Sequence, residues 1–312
     1  MRKGDLVECL KSGKKVGFLL GAGASCAAGI PDFRSPSGLY ATLKAETLTA
    51  TPEQQAALKR DPSLVVSWGL FSRNQFPYHE VRKPFILGLY EGKWRPTLSH
   101  FFMRVCQDRG QLVQVWSQNI DGLDLRAGIA EVVEVHGSIL RAECEFCQAP
   151  FPFDEYATLV RSNIRNIYDA SDGSSPAQSS HILCKACKAP GVKPATVLFG
   201  RPLPKQFYEA QQTKAPLLDV LFVVGTSLNV SPANLLPLAV RDDALRVVVN
   251  RERVGDDIGL GQSARDLFLL GDCDNQLLEL AEQVGWLHDL ARYRDDMCEA
   301  SRLLLDAKIE KK

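Results

Sequence analysis

Val16-Gly17-Phe18-Leu19-Leu20-Gly21-Ala22-Gly23-Ala24-Ser25 joins a run of apolar and small residues to a glycine-rich turn. A strand covered on both faces reads as a near-continuous apolar run, and glycines directly after it let the main chain approach a pyrophosphate at a helix N-terminus. The pairing predicts a parallel α/β sheet whose ligand lies at the carboxyl ends of the strands. A tight strand-to-helix turn with no ligand leaves the same pattern, and Cys26 stands where the third glycine of the usual fingerprint belongs.

Five further runs repeat the design. Leu112 to Trp116 leads into Gln118-Asn119-Ile120-Asp121, Val132 to Val135 into His136-Gly137, and Val220 to Val224 into Gly225-Thr226-Ser227. Arg246 to Val249 leads into Asn250-Arg251-Glu252, and Asp266 to Leu270 into Gly271-Asp272-Cys273-Asp274. Helical spacing of Leu98, Phe101, Phe102 and Val105, with Gly110 as the stop, predicts a helix between two of these strands. Helices are also expected from Asn275 to Val284 and from about Asp289 to Ile309. A dehydrogenase would place an acidic residue about 20 positions after the glycines on a second strand. Glu46 is near that distance, but no strand precedes it, so hydride transfer loses support.

Two stretches break the alternation. Residues 41–96 show helical patterns punctuated by Pro52, Pro62, Pro77 and Pro84, and residues 141–197 carry paired cysteines and a polar tract from Ala170 to Pro176. The expected division is therefore 1–40, 97–140 and 198–312 for the dinucleotide-type lobe, with the helical insertion 41–96 and the metal-binding insertion 141–197 forming a smaller lobe.

Lys plus Arg and Asp plus Glu number 37 each among 312 residues, so no global field draws the chain to nucleic acid or an anionic membrane. No apolar run approaches the ~18 residues of a membrane span, and the first five residues lack a signal-peptide core. An intracellular protein, cytoplasmic or nuclear, is the expectation. In a reducing compartment the nine cysteines read as thiols or metal ligands. Cys144/Cys147 and Cys184/Cys187 have the spacing of a tetrahedral thiolate site, which leaves zinc no open position and makes it structural.

His136 ends a strand beside a glycine, where a ring titrating near ~6.5 can act as a base. A hydrogen-bonded core histidine is the competing reading, and turn capping is the competing reading for Asn119 and Asp121. His100 is expected to be packed or capping, and His181 exposed. The loop Gly29-Ile30-Pro31-Asp32-Phe33-Arg34 is either functional or a Pro-braced surface loop with an ion pair.

Taken in order from about residue 16 to 286, Gly21-Ala-Gly-Ala-Ser25, Gly29-Ile-Pro-Asp-Phe-Arg34, Gln118-Asn-Ile-Asp121, His136-Gly137, both Cys pairs, Gly225-Thr-Ser227, Asn250 and Gly271-Asp-Cys-Asp274 resemble a sirtuin. The resemblance implies a Rossmann-like parallel sheet with helices on both faces plus a smaller zinc-binding and helical lobe. The activity it implies is NAD-dependent removal of acyl groups from protein lysine, histone or non-histone, with release of nicotinamide and O-acyl-ADP-ribose. One structural Zn2+ per chain accompanies that expectation. His136 looks like the general base acting on a ribose hydroxyl, with Asn119 and Asp121 in the nicotinamide and ribose pocket and Phe33 shielding the reactive carbon. Ala22, Gly23, Ser25, Cys26, Asp32 and Arg34 would line the dinucleotide. Gln118, Thr226, Ser227, Asn250 and Cys273 would hold its ribose and adenine parts, with Ile120, Arg251 and Glu252 as further cofactor contacts. Val197-Leu198-Phe199-Gly200 resembles the strand that pairs with the substrate backbone.

The chain departs from the family pattern at Arg201, where an acidic residue is common, and in the long spacer 148–183. No clear match to the Tyr and Arg of the succinyl-preferring branch follows Gly38, so acetyl or a longer neutral acyl group is expected. Mono-ADP-ribosyl transfer to protein and a catalytically silent NAD-binding module remain the alternatives.

Overall fold

Six of the strands form one all-parallel sheet, and they are the six apolar runs of the sequence. A computed structural model describes residues 3–30, 38–169 and 173–310. Its strands are β1 (Val16–Leu20), β2 (Leu112–Ser117), β3 (Val132–Glu134), β4 (Gly137–Cys144), β5 (Pro150–Phe151), β6 (Val192–Thr196), β7 (Val220–Val224), β8 (Leu245–Asn250) and β9 (Asp266–Leu270). The large sheet has the order β3-β2-β1-β7-β8-β9. This is the two-halved dinucleotide-binding order, in which the chain winds outward from β1 in one direction and then from β7 in the other. The switch point lies between β1 and β7, so the turns that follow those two strands are the ones expected to meet a ligand.

The chain divides into two compact units, one of Met1–Ile30, Trp94–His136 and Pro204–Lys312, the other of Pro31–Lys93 and Gly137–Leu203. In the first, β1 and β7 are buried along their whole length. Phe18 stacks on Phe222 with centroids 4.9 Å apart, and Phe102 meets both rings edge-on. Phe102 comes from the helix Leu98–Asp108, where the expected Leu98, Phe101, Phe102 and Val105 are buried together with Ser99, His100, Met103 and Cys106. Gly110 follows that helix with φ 68°, the left-handed conformation of a helix stop.

The second unit holds the helices Pro52–Arg60, Phe76–Tyr90 and Phe153–Asn163 and an antiparallel sheet of order β5-β4-β6. Leu58, Val65, Phe71, Tyr78 and Val81 are among the buried residues of its own core.

Three local expectations are corrected. The helix after the first glycine turn is a 3-10 helix, Ala22–Ala28, and a Cβ on its Gly23 would meet the main chain of Gly225. The last helix begins at Glu299, not about Asp289. Leu287–Ala291 and the 3-10 turn Arg294–Asp296 precede it, and an extended Met297 breaks the continuity. The helix expected from Asn275 starts at Cys273, because the Asp272 carboxylate caps the Asp274 and Asn275 N–H groups.

Candidate active site

The glycine turn is set by backbone contact with the turn after β7. Gly21 N–H donates to Val224 O and Gly23 N–H to Gly225 O, each at 2.8 Å. A Cβ on Gly23 would sit 2.7 Å from Gly225 Cα, so neither turn tolerates a side chain there. The two turns at the switch point are thereby locked to each other.

Asn119 and Asp121 follow β2 and grip the same turn. Asn119 Nδ2 donates to Gly21 O at 3.1 Å and to Ser25 Oγ at 3.2 Å. Ser25 Oγ donates to Asp121 Oδ2 at 2.7 Å, and Leu123 N–H to Asp121 Oδ1 at 2.9 Å. Asn119, Asp121 and Ser25 are all buried. Burial pushes the Asp121 carboxyl up, and the Leu123 and Ser25 donors oppose that rise. Sequence reasoning brought these three residues to one edge, and they meet there.

His136 follows β3. Its Nδ1 lies 2.8 Å from the Gln118 carbonyl oxygen. A carbonyl only accepts, so Nδ1 carries the proton and Nε2 presents a lone pair. Nε2 is buried and has no hydrogen-bond partner among the described residues. Burial lowers the ring's pKa from the ordinary 6.5, opposed by the Gln118 carbonyl. A neutral imidazole of fixed tautomer with an open acceptor nitrogen is the form a general base requires. Gly137 makes the chain reversal possible, since a Cβ there would fall 2.0 Å from Ala195 O.

Gln118 bonds through both its side chain and its main chain. Its side-chain Oε1 accepts from Thr226 Oγ1 at 2.7 Å while its main-chain oxygen holds His136. Ile120 and Thr226 are buried and Ser227 is exposed. Asn250 Nδ2 donates to Glu252 O at 3.0 Å, which shapes the turn after β8. Arg251 is exposed and pairs with Asp272 at 3.4 Å. Cys26 Sγ donates to Ala22 O and Cys273 Sγ to Val249 O. Ala22, Gly23, Ser25 and Cys26 lie on the turn after β1, and Thr226 and Ser227 on the turn after β7. Asn250 ends β8, Arg251 and Glu252 follow it, and Cys273 follows β9 in the same unit. Asp32, Phe33 and Arg34 lie outside the described residues.

The four paired cysteines converge in the second unit. Their sulfur atoms all lie within 4.8 Å of one another. Cys144 and Cys187 are 3.6 Å apart and Cys147 and Cys184 3.7 Å. Four thiolates around a tetrahedral zinc, each at about 2.3 Å, stand roughly 3.8 Å from each other, so the donor set fits this metal. The two turns are built alike. Gln148 N–H donates to Cys144 O and Lys188 N–H to Cys184 O, with Gln148 and Lys188 both at positive φ. His181 is exposed, stacks on Phe76 and is not part of the group.

A model of the Sir2 family matches residues 21–232 of this chain. The chain belongs to the Sir2 family. Over 316 residues it is 34% identical to the NAD-dependent protein deacetylase hst2 of Schizosaccharomyces pombe, covering 98% of this chain and 85% of that protein. It is 31% identical to the NAD-dependent protein deacetylase sirtuin-3 of Mus musculus, covering 97% of this chain and 80% of the relative. A solved structure reported as the structural basis for the mechanism and regulation of Sir2 enzymes is 27% identical. It superposes with a TM-score of 0.69 over 91% of this chain and 98% of its own.

Within this Sir2-family protein, Val197-Leu198-Phe199-Gly200 is not a regular strand. β6 ends at Thr196, and Phe199 makes an isolated parallel bridge to Ser67. Phe199 N–H donates to Val66 O at 3.0 Å and Phe199 O accepts from Trp68 N–H at 2.9 Å. Gly200 then turns at φ 90°, with Arg201 N–H donating to Leu198 O. Sequence reasoning also missed Asp124. It is buried three positions after Asp121, and burial first, then the Asp121 charge, pushes its carboxyl up to about 7. The spacing of two carboxylates on one short turn was the available signal. No helix among the described residues is long and apolar enough to cross a membrane.

Proposed function

We infer that the protein is an NAD-dependent protein-lysine deacetylase, and that His136 is its general base. The observation that carries the reading is the fixed tautomer of His136, with Nδ1–H on Gln118 O and Nε2 buried and without a partner among the described residues. NAD, when bound, supplies the electrophilic ribose carbon, the nicotinamide leaving group and the hydroxyl that receives the acyl group. His136 accepts the proton of that hydroxyl at Nε2 while Gln118 keeps the ring from rotating. Asn119 and Asp121, already tied to Ser25 and the glycine turn, hold the ribose and amide groups in place. The glycine turn at the sheet's switch point lets the dinucleotide's phosphates approach its main chain, while the Gly21 and Gly23 N–H groups stay committed to the Val224 and Gly225 carbonyls. Thr226, Ser227, Asn250 and Cys273 take the distal ribose and adenine, while the cofactor contacts expected at Asp32, Phe33 and Arg34 fall outside the described residues. The division into an NAD-binding lobe and a zinc-and-helix lobe belongs to the same proposal.

The acyl-lysine peptide adds to Val197–Gly200 by main-chain pairing. Phe199 commits its own amide and carbonyl to Val66 and Trp68 and Leu198 O accepts from Arg201 N–H, so the peptide would pair with the remaining main-chain groups of the segment. Incubation with NAD and an acetyl-lysine peptide should yield nicotinamide and O-acetyl-ADP-ribose by mass spectrometry. Label from NAD appearing on protein instead would favour mono-ADP-ribosyl transfer, and no turnover at all a silent binder.

Arg201 should bias the peptide choice. Its guanidinium lies 3.9 Å over the Trp68 ring and pairs with Glu145 at 2.8 Å. Glu145 also pairs with the fully buried Lys193 at 2.9 Å, so two cations share one carboxylate. The excess positive charge opposes basic residues beside the target lysine. Acid-flanked acetyl peptides should be turned over up to about fivefold better than base-flanked ones at low salt, the scale of a partly exposed charge contact. Arg201→Glu should reverse the order, and identical preferences in the two proteins would remove Arg201 from this role.

A further inference from the structure

The glycine turn is a 3-10 helix of 7 residues, a form with poor hydrogen-bond geometry in which long runs are uncommon. Two groups hold it. Thr97 Oγ1 donates to Ala24 O at 2.7 Å, and Cys298 Sγ donates to Ala27 O at 3.4 Å. Cys298 comes from the far end of the chain, directly before the helix Glu299–Ile309.

That residue belongs to a closed polar network. Cys298 N–H donates to Pro96 O at 2.8 Å, and its sulfur lies 3.0 Å from Ser301 Oγ. Ser301 is fully buried; its hydroxyl donates to Asp274 Oδ2 at 2.5 Å and accepts from Leu98 N–H at 3.0 Å. Asp274 Oδ1 accepts from both Ser99 N–H and Ser99 Oγ. Asp274 directly follows Cys273, which the proposed function places against the adenine part of NAD. One network therefore reaches the carbonyl side of the glycine turn and the start of the helix after β9.

We propose that Cys298 and Ser301, at the head of the C-terminal helix, are positioning residues for NAD, holding the glycine turn in its binding geometry before the dinucleotide arrives. The proposal rests on the reading of that turn as the NAD cradle. A turn ordered in advance loses less freedom on binding, so the effect falls on affinity for NAD and not on the acyl-transfer step. Neither side chain touches the reacting atoms.

The test compares NAD affinity by titration calorimetry, and kcat and KM for NAD and for an acetyl-lysine peptide, in full-length wild type, Cys298→Ala, Cys298→Ser, Ser301→Ala and Leu305→Ala. Loss of one buried hydrogen bond from the network should raise Kd and KM for NAD roughly two- to tenfold in the Cys298→Ala and Ser301→Ala proteins. Their kcat at saturating NAD and their KM for peptide should stay at wild-type values, and Cys298→Ser, which keeps a donor, should restore affinity. Leu305→Ala cuts the same helix's buried apolar face and should lower Tm without moving the NAD constants. Unchanged NAD affinity in Cys298→Ala and Ser301→Ala, or a rise that merely tracks Tm across all variants, overturns the proposal. Wild-type protein that turns over no NAD and binds none overturns the reading beneath it instead.

Discussion

His136→Ala should cut formation of O-acetyl-ADP-ribose by about 10²- to 10⁴-fold, the usual contribution of a positioned general base. Affinity for NAD should change little, because the glycine turn is held by Asn119, Ser25 and Gly225 and not by the imidazole. The ring has a structural duty as well, since Ala leaves the Gln118 carbonyl without its donor, a loss of about 1 kcal/mol. His136→Asn separates the two duties. An amide can still donate to Gln118 but has no basic nitrogen, so it should recover stability and leave the reaction as slow as the Ala protein. Recovery of turnover by Asn would refute the base assignment.

The pH dependence follows from the same geometry. Burial lowers the His136 pKa from the ordinary 6.5, so the ring stays neutral to lower pH than a free histidine. Turnover that needs the Nε2 lone pair is full above 6.5 and falls as pH drops through the lowered value. Stability moves in the same direction, because between the two values the unfolded chain binds the proton and the folded one does not. The acid limb of kcat/KM should therefore lie below 6.5 and should be missing from whatever residual rate His136→Ala retains.

The six parallel strands were legible because each is a run rich in apolar residues, buried throughout in β1 and β7 and only partly in the edge strands β3 and β9, and β1, β7 and β9 occur within the bounds the pattern indicates. The small antiparallel sheet was not. β6 reads Val-Lys-Pro-Ala-Thr, and its buried lysine is satisfied by Glu145, far away in sequence, as counter-charge and by the Pro194 and Thr196 carbonyls as acceptors. Pairing across a long insertion leaves no periodic trace. At the site, residue types and strand ends could be read from the chain, whereas the link from Gln118 O to His136 could not. Main-chain carbonyls have no sequence signature, and neither does a C-terminal Cys298 that reaches Ala27. The break at Met297 was likewise hidden, since Leu287 to Ile309 has helical spacing on both sides and the extended turn is fixed by Cys298 N–H on Pro96.

Cys184→Ala, or removal of metal by a strong chelator, should unfold the region from β4 to β6 outright. Tetrahedral zinc on four thiolates is worth about 10–16 kcal/mol of apparent binding energy, which is folding energy when the site does not pre-exist. Whole domains are stable by only about 5–15 kcal/mol, so this one term is as large as everything else that holds such a unit together. The sheet has little to replace it. β5 is two residues long, and the turns at Gln148 and Lys188 hold positive φ without glycine, a conformation that costs energy and persists only when its surroundings enforce it. The core around Leu58, Phe71 and Tyr78 is built on other helices, so loss of structure should be greatest between the cysteine pairs. Metal analysis should find one zinc per chain in the wild type and none in Cys184→Ala. Limited proteolysis should then cut the variant within about 144–191 while the parallel sheet, whose buried strands contain no metal ligand, resists. A zinc-free protein with wild-type protease resistance between the cysteine pairs would show that the thiolates are incidental to the fold.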